Sequence, residues 1–177
     1  MRVNSVGPGL RGQRAFEIVP NKVLLEGVEL NLKAPLDAMF YAPNKAPTLD
    51  ANRSIATWTI PDFNTDDFIT QPVGASHFKL VLATTVLSDF TFNNELNTYE
   101  PVNEDENEVN GVAFTAEIPL GGMVGADTSL SVDLGFAAAL PATVGVISAI
   151  GIIFYQEINT QFYELASDNA MRIEVIG

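Results

Sequence analysis

Residues 129–158, SLSVDLGFAAALPATVGVISAIGIIFYQEI, decide the fold class of this chain. The 22 residues from Leu134 to Tyr155 carry no charge, and that length could span a membrane as a helix. Pro141, three glycines and a β-branched second half oppose a helix, and basic anchors do not flank the stretch. We therefore interpret it as two strands joined at residues 140–142, the second buried on both faces, and disfavour the membrane alternative.

Alternation of apolar and polar residues extends outward from this stretch, as in half-buried strands. The polar loop 93–111, the connection 61–76 and a hairpin turn at 121–125 separate the predicted strands. Short strands divided by turns favour an all-β fold, an antiparallel β-sandwich of immunoglobulin/fibronectin-like or jelly-roll-like kind. Strands are predicted over residues 15–19, 22–33, 36–41, 54–60, 77–87, 89–92, 112–118, 129–138, 143–158, 161–165 and 171–176.

The length of 177 residues suits a single domain, and 47% apolar residues can supply its core. Residues 1–13, MRVNSVGPGLRGQ, contain three glycines and one proline and show no periodicity. We expect them to form a flexible N-terminal arm, followed by a sandwich domain over residues 14–177.

Residue types needed for several kinds of catalysis are missing. The chain has no cysteine and one histidine, His77, which excludes a cysteine nucleophile, thiolate metal sites and a histidine cage within one chain. Gly-x-Ser-x-Gly and phosphate-loop motifs do not occur. Paired carboxylates could support glycoside hydrolysis, but many ordinary acids compete for that role. We predict a protein that is not an enzyme, with a glycosidase-like enzyme as the third-ranked alternative.

Charge is distributed unevenly within a net charge of −13. Residues 1–53 sum to +2, whereas residues 54–177 sum to −15, and the acidic part would repel nucleic acid. The acids could serve solubility alone. Alternatively, the basic N-terminal region meets the acidic part of a neighbouring copy, and its strand 15–19 adds to an open sheet edge there. The interaction candidates in this region are Arg2, Arg11, Arg14, Phe16 and Ile18.

The acidic run 103–110 offers oxygen ligands of the kind that Ca²⁺ binds. Glu108 stands where an EF-hand loop requires glycine, so a solvated loop is the favoured interpretation. Weak Ca²⁺ binding through Asn103, Asp105 and Asn107 is the alternative, and no other cofactor is expected.

Aromatic residues divide into a core group and a group near turns. Trp58 lies in a predicted strand and is expected in the core. Tyr99 and Tyr163 lie near turns and are candidates for exposed contacts, including a platform for a glycan.

Residues 54–61, SIATWTIP, and 75–81, ASHFKLV, resemble the tryptophan-bearing strand and the next strand of fibronectin-type-III and immunoglobulin-like modules. The resemblance implies that Trp58 packs between two sheets. The run 154–159 with residues 170–173 also resembles the ends of uncharacterised bacterial proteins, which implies no activity.

These observations favour a non-enzymatic bacterial structural subunit of a surface filament, coat or particle, whose partner is another copy of itself. A carbohydrate- or ligand-binding module is the second hypothesis. The first residues show no recognisable export signal. Localisation therefore stays open between the cytoplasm and, if a signal was removed, the cell surface or exterior.

Overall fold

Two long strands, β3 (His77–Ser88) and β9 (Val144–Ile158), form the centre of the larger sheet in a computed structural model, which describes residues 9–177. They pair antiparallel over most of their length. β-Branched and other apolar residues dominate both strands, and such residues pack well on a pleated surface. The prediction of an all-β, antiparallel, sandwich-like domain is confirmed.

The other elements are short. Two single-turn helices, α1 (Leu36–Met39) and α2 (Thr65–Phe68), and a 3-10 segment at Val19–Leu24 lie in the connections. The Asn64 side chain caps α2 by accepting a hydrogen bond from the Asp66 N–H. The remaining strands are β1 (Thr48–Leu49), β2 (Ile55–Ile60), β4 (Phe90–Asn93), β5 (Thr98–Pro101), β6 (Asn110–Phe114), β7 (Ile118–Pro119), β8 (Thr128–Asp133), β10 (Gln161–Glu164) and β11 (Ala170–Ile176).

The strands form two facing sheets and one separate ribbon. The larger sheet has the order β10–β9–β3–β6, with β11 also pairing with β9 and β7 also pairing with β3. The smaller sheet has the order β1–β2–β8, and β4 pairs with β5 as a two-stranded ribbon. Residues 27–30 extend the larger sheet beyond β11 through backbone hydrogen bonds to Met171 and Ile173.

The core lies between the inner faces of the two sheets. Trp58 of β2 is fully buried, as the sequence predicts, and its ring packs edge-on against Phe40 at 6.1 Å. Its indole N–H donates to Asn44 Oδ1 at 3.2 Å, which satisfies the polar atom of this side chain. The other inner-face residues are Ala56, Ile60, Leu130 and Val132 from the smaller sheet and Phe78, Leu80, Leu82, Val86, Val146, Ile150, Ile152 and Phe154 from the larger sheet.

Arg53 holds the connection that leads into β9. Its guanidinium donates three hydrogen bonds, of 2.6 to 2.7 Å, to the carbonyls of Leu140, Pro141 and Val144. Arginine presents several donors in a fixed plane, which suits a row of backbone carbonyls. The contact joins the turn before β2 to the start of the central strand.

Three predicted strands near the N-terminus are wrong. Only Phe16 of residues 15–19 forms a bridge, because Pro20 lacks an N–H and the chain turns into the 3-10 segment. Residues 22–33 turn at Gly27, whose φ is +81°, and keep a single bridge, at Glu29. Of residues 36–41, the first four form α1 instead of a strand, and Phe40 keeps a single bridge, to Ile69.

Three further predictions, of a strand end, a loop and a turn, also differ from the structure. The strand predicted over 129–138 ends at Asp133, just before Gly135 with a φ of +81°. The polar segment 93–111 is not all loop, because it contains β5. Residues 121–125 connect strands of different sheets, so they are not a hairpin turn.

The hairpin predicted around residues 159–160 is confirmed as β9 and β10. Both turn residues have positive φ, which is the conformation of a type I′ hairpin turn. Among residues 9–177, no helix is both long and apolar enough to cross a membrane.

Candidate interaction surface

The middle of the outer face of the larger sheet is apolar across the adjacent strands β11, β9, β3 and β6. Even-numbered residues of β3 and β9 face the core, so the odd-numbered residues of these two strands face outward. We call this surface the apolar face. It is formed by Leu30, Val81, Ala83, Val112, Phe114, Ile147, Ala149, Gly151, Ile153, Met171 and Ile173.

A shallow groove runs across the middle of the apolar face. It consists of two adjoining hollows of about 410 and 380 Å³ that share Leu30, Ala83, Val112 and Met171. The smaller hollow has no charged residue in its lining, and the larger has one, Glu164. In a chain with 31 charged side chains, a groove with a single charged residue in its lining has the low charge that is typical of the centre of a protein interface.

Large apolar side chains stand exposed on both sides of this groove. Leu30 is 58% exposed on one side, and Val112 and Phe114 are 53% and 48% exposed on the other. Single exposed apolar residues are ordinary on soluble proteins, whereas a contiguous group marks a contact surface. The grouping of these side chains around one groove therefore identifies the apolar face as the candidate site.

The free edge of β6 borders the apolar face. Hydrogen bonds from Thr115 N–H to the Leu80 carbonyl and from Val86 N–H to the Val109 carbonyl fix the phase of the β3–β6 ladder. The N–H and C=O groups of Asn110, Val112 and Phe114 therefore point away from β3. In the described part of the chain, no strand pairs with this edge.

Other sheet edges carry the protection that natural edge strands commonly have. Residues 27–30 cover β11, and β10 ends in Glu164 and lies at the tip of a hairpin. The free edge of β8 ends in Asp133, and β1 is two residues long. Residues 109–116, VNGVAFTA, have no charge and no proline around β6. Such an edge is open to pairing with another strand.

The outer face of the smaller sheet has a different chemistry. Cross-strand hydroxyl pairs join Thr57 to Ser131 at 3.3 Å and Thr59 to Ser129 at 3.5 Å. We call these four residues the hydroxyl face. Beside it lies an open cleft of about 550 Å³ whose lining includes Lys45, Thr57 and Thr59.

The predicted N-terminal contacts are used within the chain. Phe16 exchanges two backbone hydrogen bonds with Phe90, and Ile18 is fully buried over Gly145 at one end of the outer face. The Tyr99 hydroxyl donates to the carbonyl of Arg14 at 2.8 Å, so Tyr99 holds this segment, and its role in an aromatic platform stays a prediction.

The remaining basic candidates for interaction are Arg14, Arg11 and Arg2. Arg14 Nε donates to the Gly9 carbonyl, and Arg11 is exposed. Arg2 lies outside the described residues.

Several basic residues are also paired inside the chain. Arg172, in the acidic C-terminal part, bonds Asp37 at 2.6 Å and Glu174 at 2.8 Å and lies 3.7 Å from Glu29. Lys79 bonds Glu117 at 2.8 Å, which raises the pKa of Lys79 and lowers the pKa of Glu117. Both cations belong to the acidic part of the chain, so their pairing leaves the charge of the basic N-terminal region unchanged.

Asp89 is a buried carboxylate at the point where the N-terminal segment docks. It is 8% exposed, and its Oδ1 accepts the N–H of Ile18 at 2.8 Å. Burial raises the pKa of Asp89, the hydrogen bond from Ile18 opposes this, and nearby Glu17 adds to the increase. Since Ile18 covers Gly145, this carboxylate anchors the segment that closes one end of the outer face.

The weak Ca²⁺ site stays a prediction. The Asn107 side-chain oxygen accepts the Ser88 N–H at 2.9 Å, and the Asn103 side-chain oxygen accepts the Thr143 hydroxyl. Two of the predicted ligands therefore hold the loop against β3 and against the residue that precedes β9, and Asp105 is exposed. Within residues 9–177, no three acidic or histidine side chains are grouped as a metal site.

Tyr163 is exposed, as predicted, at 56%. It lies beside Phe162, whose ring meets the ring of His77 edge-on at 4.7 Å. The hydroxyl of Ser76 is within hydrogen-bond distance of the His77 ring, and Glu157 lies 3.9 Å from it. The aromatic group on β10 is small and open, and along the chain it directly precedes Glu164, which lines the larger hollow.

Val112 and Phe114 are candidate site residues that the sequence pattern does not reveal, because residues 112–118 are predicted only as a strand. The signal was the uncharged run 109–116 beside the most acidic loop of the chain. This uncharged run indicates a contact surface only if β6 lies at the edge of a sheet. The edge position of β6 depends on pairing between strands that are distant in the sequence.

No family model, curated protein or solved structure matches this chain. The resemblance to fibronectin-type-III and immunoglobulin-like modules, carried by residues 54–61 and 75–81, therefore stays a prediction. The apolar face and the free edge of β6 are the features from which a function can be argued.

Proposed function

We propose that this protein is a non-enzymatic structural subunit, a component of a filament, coat or particle, that associates with copies of itself through the apolar face. The observation that carries the proposal is the hollow between Leu30 and Val112, whose lining has no charged residue although the chain is strongly acidic. A second copy has the same negative charge and would be repelled by most of the surface. At the apolar face two copies could approach with few charged groups in contact.

A matched pair of lysine variants tests this proposal. Leu30 lines both hollows, whereas Leu32, two residues later, is 85% exposed and lines neither. Leu30→Lys places a charge in the groove and should reduce the mass measured by light scattering to that of a monomer. Leu32→Lys should keep the mass of the parent chain. A parent chain that is monomeric at millimolar concentration would refute self-association.

Salt dependence separates two modes of association. If the basic N-terminal region contacted the acidic part of a neighbour, raising the salt concentration to about 1 M would screen that contact. Burial of the apolar face would survive or strengthen under the same conditions, most clearly in sulfate. Sedimentation at 0.1 M and 1 M salt therefore assigns the contact to charge or to apolar burial.

A ligand-binding module is the second candidate, and the cleft beside the hydroxyl face favours it. Its volume of about 550 Å³ lies within the range of small-molecule sites, and threonine hydroxyls with one lysine could bind a polar ligand such as a sugar. Glycan-array binding that is lost in Thr59→Trp, which fills the cleft, would support this function. Binding that is lost in Tyr163→Ala would place the ligand on the β10 hairpin instead.

A further inference from the structure

We infer that two copies of the chain join edge to edge through β6, antiparallel and centred on Val112; this inference rests on the proposed function and specifies its partner and register. The pairing of β6 with β3 sets the direction of the β6 backbone groups, and this direction makes the free edge of β6 complementary to the same edge of a second copy. Asn110, Val112 and Phe114 direct their N–H and C=O groups outward. With Val112 opposite the partner's Val112, these residues form three hydrogen-bonded pairs and about six N–H···O bonds.

Side chains on this edge fit the same arrangement. Residue Asn110 would oppose the partner's Phe114 on the outer face, and Gly111 would oppose the partner's Ala113 on the inner face. No charge lies within residues 109–116, so like charges do not meet across the join. Gly111 is small by necessity, because a Cβ there would lie 2.7 Å from Val132 Cγ1. The inner side of the edge is therefore already filled by its own chain.

Two-fold pairing would also enlarge the apolar face. The larger sheets of two copies would become one continuous sheet, with the two grooves on the same side of it. A five-residue edge covers less than the roughly 800 Å² per partner that a stable interface buries. The pair would therefore be completed by packing of its joined apolar faces against another pair, which leads from a dimer to a larger assembly.

Single cysteines test the register, because the chain contains no cysteine of its own. Hydrogen-bonded antiparallel neighbours have Cα atoms about 5.5 Å apart, which lies within the range that a disulfide spans. Val112→Cys should form a covalent dimer on mild oxidation. Thr59→Cys, exposed on the hydroxyl face, should stay monomeric on a denaturing gel. Equal cross-linking of both variants would show random collision and overturn the inference.

A mixing experiment makes the register test sharper. Asn110→Cys and Phe114→Cys should each cross-link poorly alone, and they should form a covalent heterodimer when mixed. If the parent chain associates and Leu30→Lys dissociates it, but Val112→Cys does not cross-link, edge pairing is wrong while the proposed function stands. If the parent chain stays monomeric, both are wrong.

Discussion

The two outer faces of the sandwich differ more than the two inner faces. On the smaller sheet, β2 and β8 alternate strictly, so Trp58 and Leu130 are buried while Thr59 and Ser129 meet solvent. On the larger sheet, β3 and β9 are apolar on both sides in the middle of their length, where valine, alanine, glycine and isoleucine occupy the outward positions, and Lys79 and Glu157 lie outward nearer one end. One face therefore presents hydroxyl groups that water can hydrogen-bond, whereas the middle of the other presents apolar groups.

Neighbouring strands shield most of the apolar face from water in a single copy of the chain. Val81 and Ala149 face outward but are only 4% and 8% exposed, because β6 and β11 lie on either side of them. Exposure concentrates at the margins, on Leu30 and on Val112 with Phe114. The apolar face is therefore exposed mainly at these two margins, while the chain itself shields its middle.

The largest expected effect on stability comes from a substitution in the core between the two sheets. Trp58→Ala should lower the free energy of unfolding by about 3–5 kcal/mol, because it leaves a cavity beside Phe40 and frees the Asn44 oxygen. Urea unfolding followed by circular dichroism measures this. A loss below about 1 kcal/mol would mean that the two sheets do not depend on a common core.

Trp58 also shows what the sequence can predict. Its burial, the β2–β8 alternation and the β9–β10 hairpin follow from patterns within single segments, and the structure confirms them. The N-terminal strands over 15–33 were wrong because a strand needs a partner, and only Phe16 and Glu29 find one. The candidate site was missed for the same reason, since the edge position of β6 depends on pairing with residues about 30 positions away.

A second prediction contrasts backbone packing on the two faces. Gly151 lies in the floor of the apolar face, and a Cβ there would lie 2.5 Å from the Ala170 carbonyl oxygen. Gly151→Ala should therefore destabilise the chain by an amount near the upper end of roughly 1–3 kcal/mol. Ser129→Ala on the hydroxyl face should change stability by less than about 0.5 kcal/mol. Equal effects in thermal unfolding would contradict the contrast.

A third prediction compares the same hydroxyl chemistry in two environments. Thr84 and Ser148 form a buried cross-strand pair at 3.1 Å between β3 and β9, whereas Thr59 and Ser129 form an exposed pair at 3.5 Å. Thr84→Val leaves the Ser148 hydroxyl without its partner in the core and should cost about 1 kcal/mol or slightly more. Thr59→Val should cost less than about 0.5 kcal/mol.

A double-variant cycle isolates each pair. Adding Ser148→Ala to Thr84→Val should recover part of the loss, because the unsatisfied hydroxyl is then removed. The corresponding pair on the hydroxyl face should be additive. Additivity in the core would show that the two buried hydroxyls do not depend on each other.

The smallest effect is expected at the closed end of the outer face, where Asp89 anchors Ile18. Burial raises the pKa of Asp89 above its ordinary value of 3.8, so the folded chain holds this proton more tightly than the unfolded chain does. The stability that this bound proton adds is complete below about pH 3.8 and is lost as the pH rises through the raised pKa of Asp89. Asp89→Asn keeps an oxygen that can accept the Ile18 N–H but cannot ionise. The variant should therefore be the more stable protein at neutral pH.

The difference between Asp89→Asn and the parent chain should shrink as the pH falls towards 3.8 and should level off below it, since both side chains are then uncharged. Urea unfolding at several values between pH 3 and pH 7 measures this difference, and effects of the other acids cancel because both proteins share them. Glu17 contributes to the shift, so Glu17→Gln should reduce the pH dependence without removing it. A difference that does not vary with pH would mean that Asp89 is hydrated in the folded chain. The N-terminal segment would then close the outer face through Ile18 alone.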